Sequence, residues 1–322
     1  MDFNQIIGHE KVIEILKKSI KTNKISHAYL FQGEEGIGKK KLSYAFSKAL
    51  LCLSEGEKPC GDCPSCKRFE SGNNPDFFHI EPEKNLIKIE HINKIQKEMS
   101  TAPLNSNKKV MLIEDAHLMN KESTNKLLKT LEEPPSFAHI ILTSSQAYKL
   151  LPTILSRVQT INFFPVPKEK IKNLLIEHYG KDEKQAKFIT EFTKGAIGKS
   201  INLAKSDLLF QRREEVLKLL NDLIKGDKTK VFNSMDFFNN NEKDIHEILD
   251  IMIYYFRDLL LYKKLPNSPL IINQDKISLL NEHSFMAFNK INDIILNIME
   301  TKDIIRKNVN FQLSLEAMLL NI

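Results

Sequence analysis

The sequence predicts an α/β domain with a parallel sheet, built around a phosphate-binding loop and followed by two helical regions. Three observations carry this expectation. Short apolar runs alternate with helical patterning through the first half of the chain, as a parallel sheet with crossover helices requires. A glycine-rich stretch at 33–41 lies between one such run and an amphipathic helix, the setting a phosphate loop needs. From Lys168 onward the pattern is almost wholly helical.

Taken in order, residues 27–32 (HAYLFQ) are the first expected strand. Behind the loop, Leu42, Ala45, Phe46, Ala49 and Leu50 recur at helical spacing and make one buried stripe. Residues 76–81 (DFFHIE) read as a second strand. Residues 110–113 (VMLI) are a continuous apolar run, suited to a strand buried on both faces. Residues 139–143 (HIILT) and 160–163 (TINF) supply two more. Pro165 and Pro167 then punctuate the chain. Ile245, Ile248, Leu249, Met252, Phe256 and Leu259 fall on one helical stripe, and Leu315, Met318, Leu319 and Ile322 on another. The expected division is an α/β domain over 1–165, carrying a four-cysteine module at 52–66, then a small helical domain over 166–207 and a helical domain over 208–322.

A chain of 322 residues exceeds one ordinary core, in keeping with that division. Its net charge of +6, from 47 Lys+Arg against 41 Asp+Glu, permits contact with nucleic acid without requiring it. A cytoplasmic protein is expected. MDFNQIIGHEK has no basic segment followed by an apolar stretch, and the most apolar segment, 251–262, is broken by Arg257 and Asp258.

Residues 33–41 read GEEGIGKKK. Gly33, Gly38 and Lys39 match G-x-x-x-x-G-K-[ST], with Gly36 inside the loop, so a backbone cradle and a phosphate-facing ammonium are both expected. Lys40 stands where a Ser or Thr hydroxyl should ligate Mg²⁺, and an ammonium has no lone pair to give. ATP is therefore a ligand that the cradle admits and the missing hydroxyl argues against. Glu114-Asp115, at the end of the third expected strand, are either solvated strand-end acids or the metal and water partners of a nucleotide site in reversed order.

Cys52, Cys60, Cys63 and Cys66 are all the cysteines of the chain, and CGDCPSC holds two overlapping C-x-x-C pairs. Four thiolates at this spacing suit a tetrahedral structural Zn²⁺ site. Disulfides fit poorly with a cytosolic chain, and the C-P that follows a ferredoxin cysteine run is missing. Arg157, in ILSR before the last strand, reads either as a salt-bridge former or as a cation that reaches a neighbouring nucleotide.

Together these motifs resemble the clamp-loader branch of the AAA+ ATPases. The match runs through IIGHE at 6–10, SHAYLFQG at 26–33, the glycine loop, the cysteine module, NPDFFHIEPE at 74–83, VMLIEDAHLM at 110–119, NKLLKTLEEPP at 125–135 and ILSRVQTINF at 154–163. It is dense over 1–205 and looser beyond, where NFQLSLEAMLL at 310–320 is the best anchor.

The resemblance implies an AAA+ domain with a small helical lid and a helical collar for oligomerisation. It makes Arg157 a trans-acting arginine finger, with Val158 where the family usually has a cysteine. Thr143, Ser144 and Ser145 fall at the position that senses γ-phosphate in active relatives, and Gly198 falls where motor subunits carry an Arg. The implied partners are the motor (gamma/tau) and delta subunits in a hetero-pentamer, and, through the complex, the sliding clamp and primer-template DNA. The implied ATPase activity is weak or absent. An active gamma/tau-like motor and a free-standing zinc protein that binds nucleic acid are the other two readings.

Overall fold

The computed structural model describes residues 2–226, 229–307 and 309–322. They form two compact units, Met1–Ile171 with Lys194–Lys199, and Lys172–Thr193 with Ser200–Ile322. The stretch expected to be a small domain, 166–207, is divided between them. Residues 194–199 join the first unit through backbone bonds from Val166 N–H to the Gly195 carbonyl (3.0 Å) and from Gly198 N–H to the Gly36 carbonyl (2.7 Å).

The first unit holds a five-stranded, wholly parallel sheet. Its strands are β1 (Ala28–Gln32), β2 (Phe77–Ile80), β3 (Lys109–Ile113), β4 (Ala138–Ser144) and β5 (Gln159–Asn162), in the order β2-β3-β4-β1-β5. Every residue of β3 and β4 is buried, which is why each carries a continuous apolar run, VMLI in β3 and IIL in β4. Side chains alternate across the sheet. Tyr29 and Phe31 pack with Leu42, Phe46 and Ala49 on one face, while Ala28 and Leu30 pack with Ile113, Leu127, Ile140 and Leu142 on the other.

Helix α1 (Glu10–Lys21) precedes the sheet, and the helices between its strands are α2 (Lys39–Leu51), α3 (Pro64–Glu70), α4 (Ile89–Met99), α5 (Lys121–Glu132) and α6 (Pro152–Leu155). Strand β2 is shorter than the sequence pattern at both ends. The buried carboxylate of Asp76 accepts from the N–H groups of Leu104, Asn105 and Ser106 and from Ser106 Oγ at 2.7–2.8 Å, so the side chain anchors a loop while the Asp76 carbonyl accepts from Val110 N–H at 2.9 Å. Glu81 turns towards Lys40.

Helix α7 (Lys168–Tyr179) leads from the first unit into the second, and α9 (Ile197–Ala204) also begins in the first. The rest of the second unit is helical: α8 (Glu183–Phe192), α10 (Leu208–Ile224), α11 (Thr229–Asn240), α12 (Ile245–Lys264), α13 (Ile277–Glu282), α14 (Phe288–Arg306) and α15 (Phe311–Leu320). Helix α12 is its centre, packed by α10 and α14, with α15 against α14 and α11. Ile245, Ile248, Leu249, Met252, Phe256 and Leu259 are all buried, as are Leu315, Met318 and Leu319, so both expected stripes face a core, except that Ile322 lies beyond the end of α15 and is only half-buried. Asp258 is buried too, its carboxylate accepting from the N–H groups of Ile272 and Asn273 and from the Asn273 amide. Among the described residues no helix is long and apolar enough to cross a membrane.

Candidate functional site

The glycine loop follows β1, the strand next to β4 near the middle of the sheet, and ends at Gly38, the N-cap of α2. Gly36 and Gly38 have φ of +73° and +111°, values that side-chain-bearing residues rarely take. Lys39 is buried and folds onto its own loop, donating to the Gly33 carbonyl at 2.6 Å and the Glu34 carbonyl at 2.7 Å. Burial pulls its pKa below the ordinary lysine value, against the attraction of Asp115, Glu35 and Glu34. His9 Nε2 lies 2.8 Å from the Ile37 carbonyl, and Gly198 N–H donates to the Gly36 carbonyl.

At Gly198 the backbones approach so closely that a Cβ would lie 2.8 Å from the Gly36 oxygen. Any side chain there, arginine included, would collide with the loop.

Lys40, in the first turn of α2, reaches the neighbouring ends of β2 and β3. Its ammonium lies 2.6 Å from Glu81 Oε1 and 3.0 Å from Glu114 Oε1. His79 Nε2 is 2.9 Å from that same Glu114 oxygen, and the Tyr44 hydroxyl meets His79 Nδ1 at 2.8 Å. Burial works against the Lys40 charge, yet the two carboxylates outweigh it and hold its pKa above the ordinary value. The Lys40 hydrogen bond in turn keeps the Glu81 carboxyl below its usual range.

Asp115 does not join this group. It takes a left-handed backbone conformation, φ 44°, and its N–H donates to Thr143 Oγ1 at 3.1 Å. Burial raises its carboxyl pKa. Ser144 Oγ pairs with His117 Nδ1 at 3.1 Å. Two of the three hydroxyls at the expected sensor position, those of Thr143 and Ser144, are therefore buried and engaged by residues just beyond the end of β3. Sequence reasoning missed His9, His79 and Glu81 as site residues, since nothing in a lone His or strand-end Glu marks a partner distant in the chain.

The four cysteines do converge. Cys52 is the C-cap of α2 and Cys63 the N-cap of α3, and all four sulfurs lie within 4.8 Å of one another. Cys52 Sγ is 3.5 Å from Cys60 Sγ and 4.0 Å from Cys63 Sγ. Tetrahedral Zn²⁺ with Zn–S of about 2.3 Å puts its sulfurs about 3.8 Å apart, so the donor set fits. The N–H groups of Cys60, Cys63 and Cys66 each point at a preceding sulfur at 3.4 Å, the arrangement that stabilises thiolates. For Cys63, burial favours the neutral thiol, but the N–H groups of Cys66 and Leu53 and the neighbouring thiols outweigh it and bring the pKa to about 6. Burial pushes Cys52 and Cys66 up.

Arg157 stands between α6 and β5, its side chain 36% exposed. Its Nη1 donates to the Thr153 carbonyl at 2.9 Å and Nη2 lies 2.9 Å from Glu132 Oε1.

A glycine loop at the end of a parallel strand, with strand-end acids beside it and an all-helical region after it, defines a phosphate-loop type of α/β protein. The family described as "DNA polymerase III, delta subunit" matches residues 8–167, and its C-terminal counterpart matches 207–322. The chain is 33% identical to DNA polymerase III subunit delta′ of Bacillus subtilis over 96% of its own length and 94% of that protein's. To subunit tau of the same organism it is 28% identical over 85% of its length, spanning 53% of tau. A solved DNA polymerase III gamma subunit-related protein from Thermotoga maritima aligns over 95% of this chain and 97% of its own, with 20% identity and a TM-score of 0.45. The chain belongs to the DNA polymerase III delta′ family and is a clamp-loader subunit.

Proposed function

We propose that this subunit does no ATP chemistry of its own, braces the loader pentamer, and lends Arg157 to the ATP site of the adjacent motor subunit. The observation that carries this reading is the asymmetry between the two sites. Lys40 sits among Glu81, Glu114 and His79 where a metal ligand is needed, whereas Arg157 is exposed beside a carboxylate that solvent also reaches. A planar guanidinium spans two phosphate oxygens and neutralises charge as the γ-phosphoryl group leaves. ATP bound at that neighbouring site would let the assembly hold the sliding clamp open, and hydrolysis on primer-template DNA would release it. In the same reading the gamma/tau and delta subunits complete the pentamer, residues 1–165, 166–207 and 208–322 serve as AAA+ domain, lid and oligomerising collar, and Cys52, Cys60, Cys63 and Cys66 hold one structural Zn²⁺.

Reconstitution with motor and delta subunits tests this. DNA-stimulated ATPase and clamp loading should require this chain, while the chain alone should show no turnover above background. Turnover by the chain alone that rises with Mg²⁺ and vanishes in Lys39→Ala would overturn the reading in favour of an active motor.

A further inference from the structure

We propose that the Lys40 ammonium is the resident cation of this site, held in a three-ligand pocket that takes a divalent metal ion once Lys40 is removed. This deepens the non-hydrolysing reading above and is independent of the role given to Arg157.

The pocket follows from the parallel pairing of two strands. His79 pairs with Leu112 and Ile80 with Ile113, so Glu81 and Glu114 leave the sheet side by side. His79 Nε2 and one oxygen from each carboxylate all lie within 4.8 Å of one another, a donor set suited to a hard divalent ion. Two carboxylates at adjacent strand ends repel unless a cation lies between them. Lys40 supplies that cation from the next helix, at 2.6 and 3.0 Å. Tyr44, one turn along α2, bonds His79 Nδ1 and leaves Nε2 facing the shared Glu114 oxygen.

The substitution changes what the site can do. A metal ion gives some of its coordination positions to the protein and the rest to phosphate oxygens, so it links nucleotide to sheet. An ammonium has three N–H donors, two of which are directed at Glu81 and Glu114. It also repels any metal that approaches. The charge of the pocket is thus settled by the chain itself, and neither Mg²⁺ nor nucleotide need enter for Glu81 and Glu114 to be compensated.

The test is Mn²⁺ titration of the full chain in the presence of one equivalent of Zn²⁺ to saturate the cysteines, with free Mn²⁺ read by electron paramagnetic resonance. Wild type should show no saturable uptake at millimolar Mn²⁺. Lys40→Ala and Lys40→Thr should each take up one ion, a gain of about tenfold or more in affinity from removing a like charge at contact distance. Adding His79→Ala should abolish that uptake. Saturable uptake by wild type that His79→Ala removes would overturn the proposal. So would wild-type-like uptake by both Lys40 variants once their melting curves show them folded. The readout is metal binding, so either failure is distinct from ATP turnover by the chain, which bears on the wider reading.

Discussion

Arg157 Nη2 rests 2.9 Å from Glu132 Oε1, the carboxylate at the last residue of α5, and both side chains are open to solvent. An exposed pair of this kind contributes about 0–1 kcal/mol, so it aims the guanidinium without holding it against a stronger anion. The contact joins the ILSR and LEEPP stretches, which are separate in the sequence, and in the role proposed for Arg157 a partner's phosphate would compete with this carboxylate.

Arg157→Ala should leave folding and assembly near wild type, by melting and gel filtration, and should reduce DNA-stimulated ATPase and clamp loading by the reconstituted complex. Where such fingers dominate they contribute on the order of 10³–10⁵ in rate, and a loader with several sites should lose less in total. Arg157→Lys should rescue little, because an ammonium lacks the planar fork. Wild-type loading by an intact Arg157→Ala complex would reduce Arg157 to a partner of Glu132.

Cys63→Ser should lose one Zn²⁺ per chain and melt at a lower temperature. A metal held by Cys52 and Cys63 would tie the end of α2 to the start of α3, and metal binding at such a site contributes folding free energy. Elemental analysis that finds iron, or no metal in freshly reduced wild-type protein, contradicts the zinc assignment.

Gly198→Arg introduces the residue type that the family resemblance implies for motor subunits, and it should not tighten nucleotide binding. Its Cβ would sit 2.8 Å from the Gly36 carbonyl, so the loop must shift, at a cost of about 1–3 kcal/mol. A lower melting temperature with no gain in ATP affinity is expected. An unchanged melt with tighter ATP binding would show that the two backbones separate freely.

Asp76→Ala should destabilise the chain by about 2–3 kcal/mol near neutral pH, because three N–H groups and one hydroxyl lose a charged acceptor. Burial opposes ionisation of Asp76, but those donors outweigh it and hold its pKa below the usual carboxyl value. A depressed folded pKa means the stabilisation is complete above the unfolded value of about 3.9 and is lost as pH falls through the folded one. Urea midpoints for wild type and variant should therefore differ by a constant amount from about pH 7 to 5 and converge in stronger acid. A gap that widens in acid would contradict this assignment.

Strands β1 to β4 were legible because each contains a short apolar run, β5 through Ile161 and the Phe163 that follows it, and the buried faces of α2, α12 and α15 because their apolar residues recur at helical spacing. The cysteine cluster was legible too, since C-x-x-C spacing limits where sulfurs can lie. Glu114 and Asp115 illustrate the limit. The sequence makes them a pair, but the left-handed turn at Asp115 separates their roles, leaving Glu114 with Lys40 and His79 and sending the Asp115 N–H to Thr143.

By itself, then, the sequence determined the α/β class, the place of the glycine loop, the loss of its hydroxyl and the four sulfur donors, all properties of residue type and local spacing. Tertiary structure alone decided which carboxylates Lys40 would meet, that Gly198 would press on the loop, and that Glu132 would face Arg157. The reason is physical. Local spacing constrains neighbours within a turn or a strand, whereas the register of parallel strands and the packing of crossover helices bring together charges far apart in the chain.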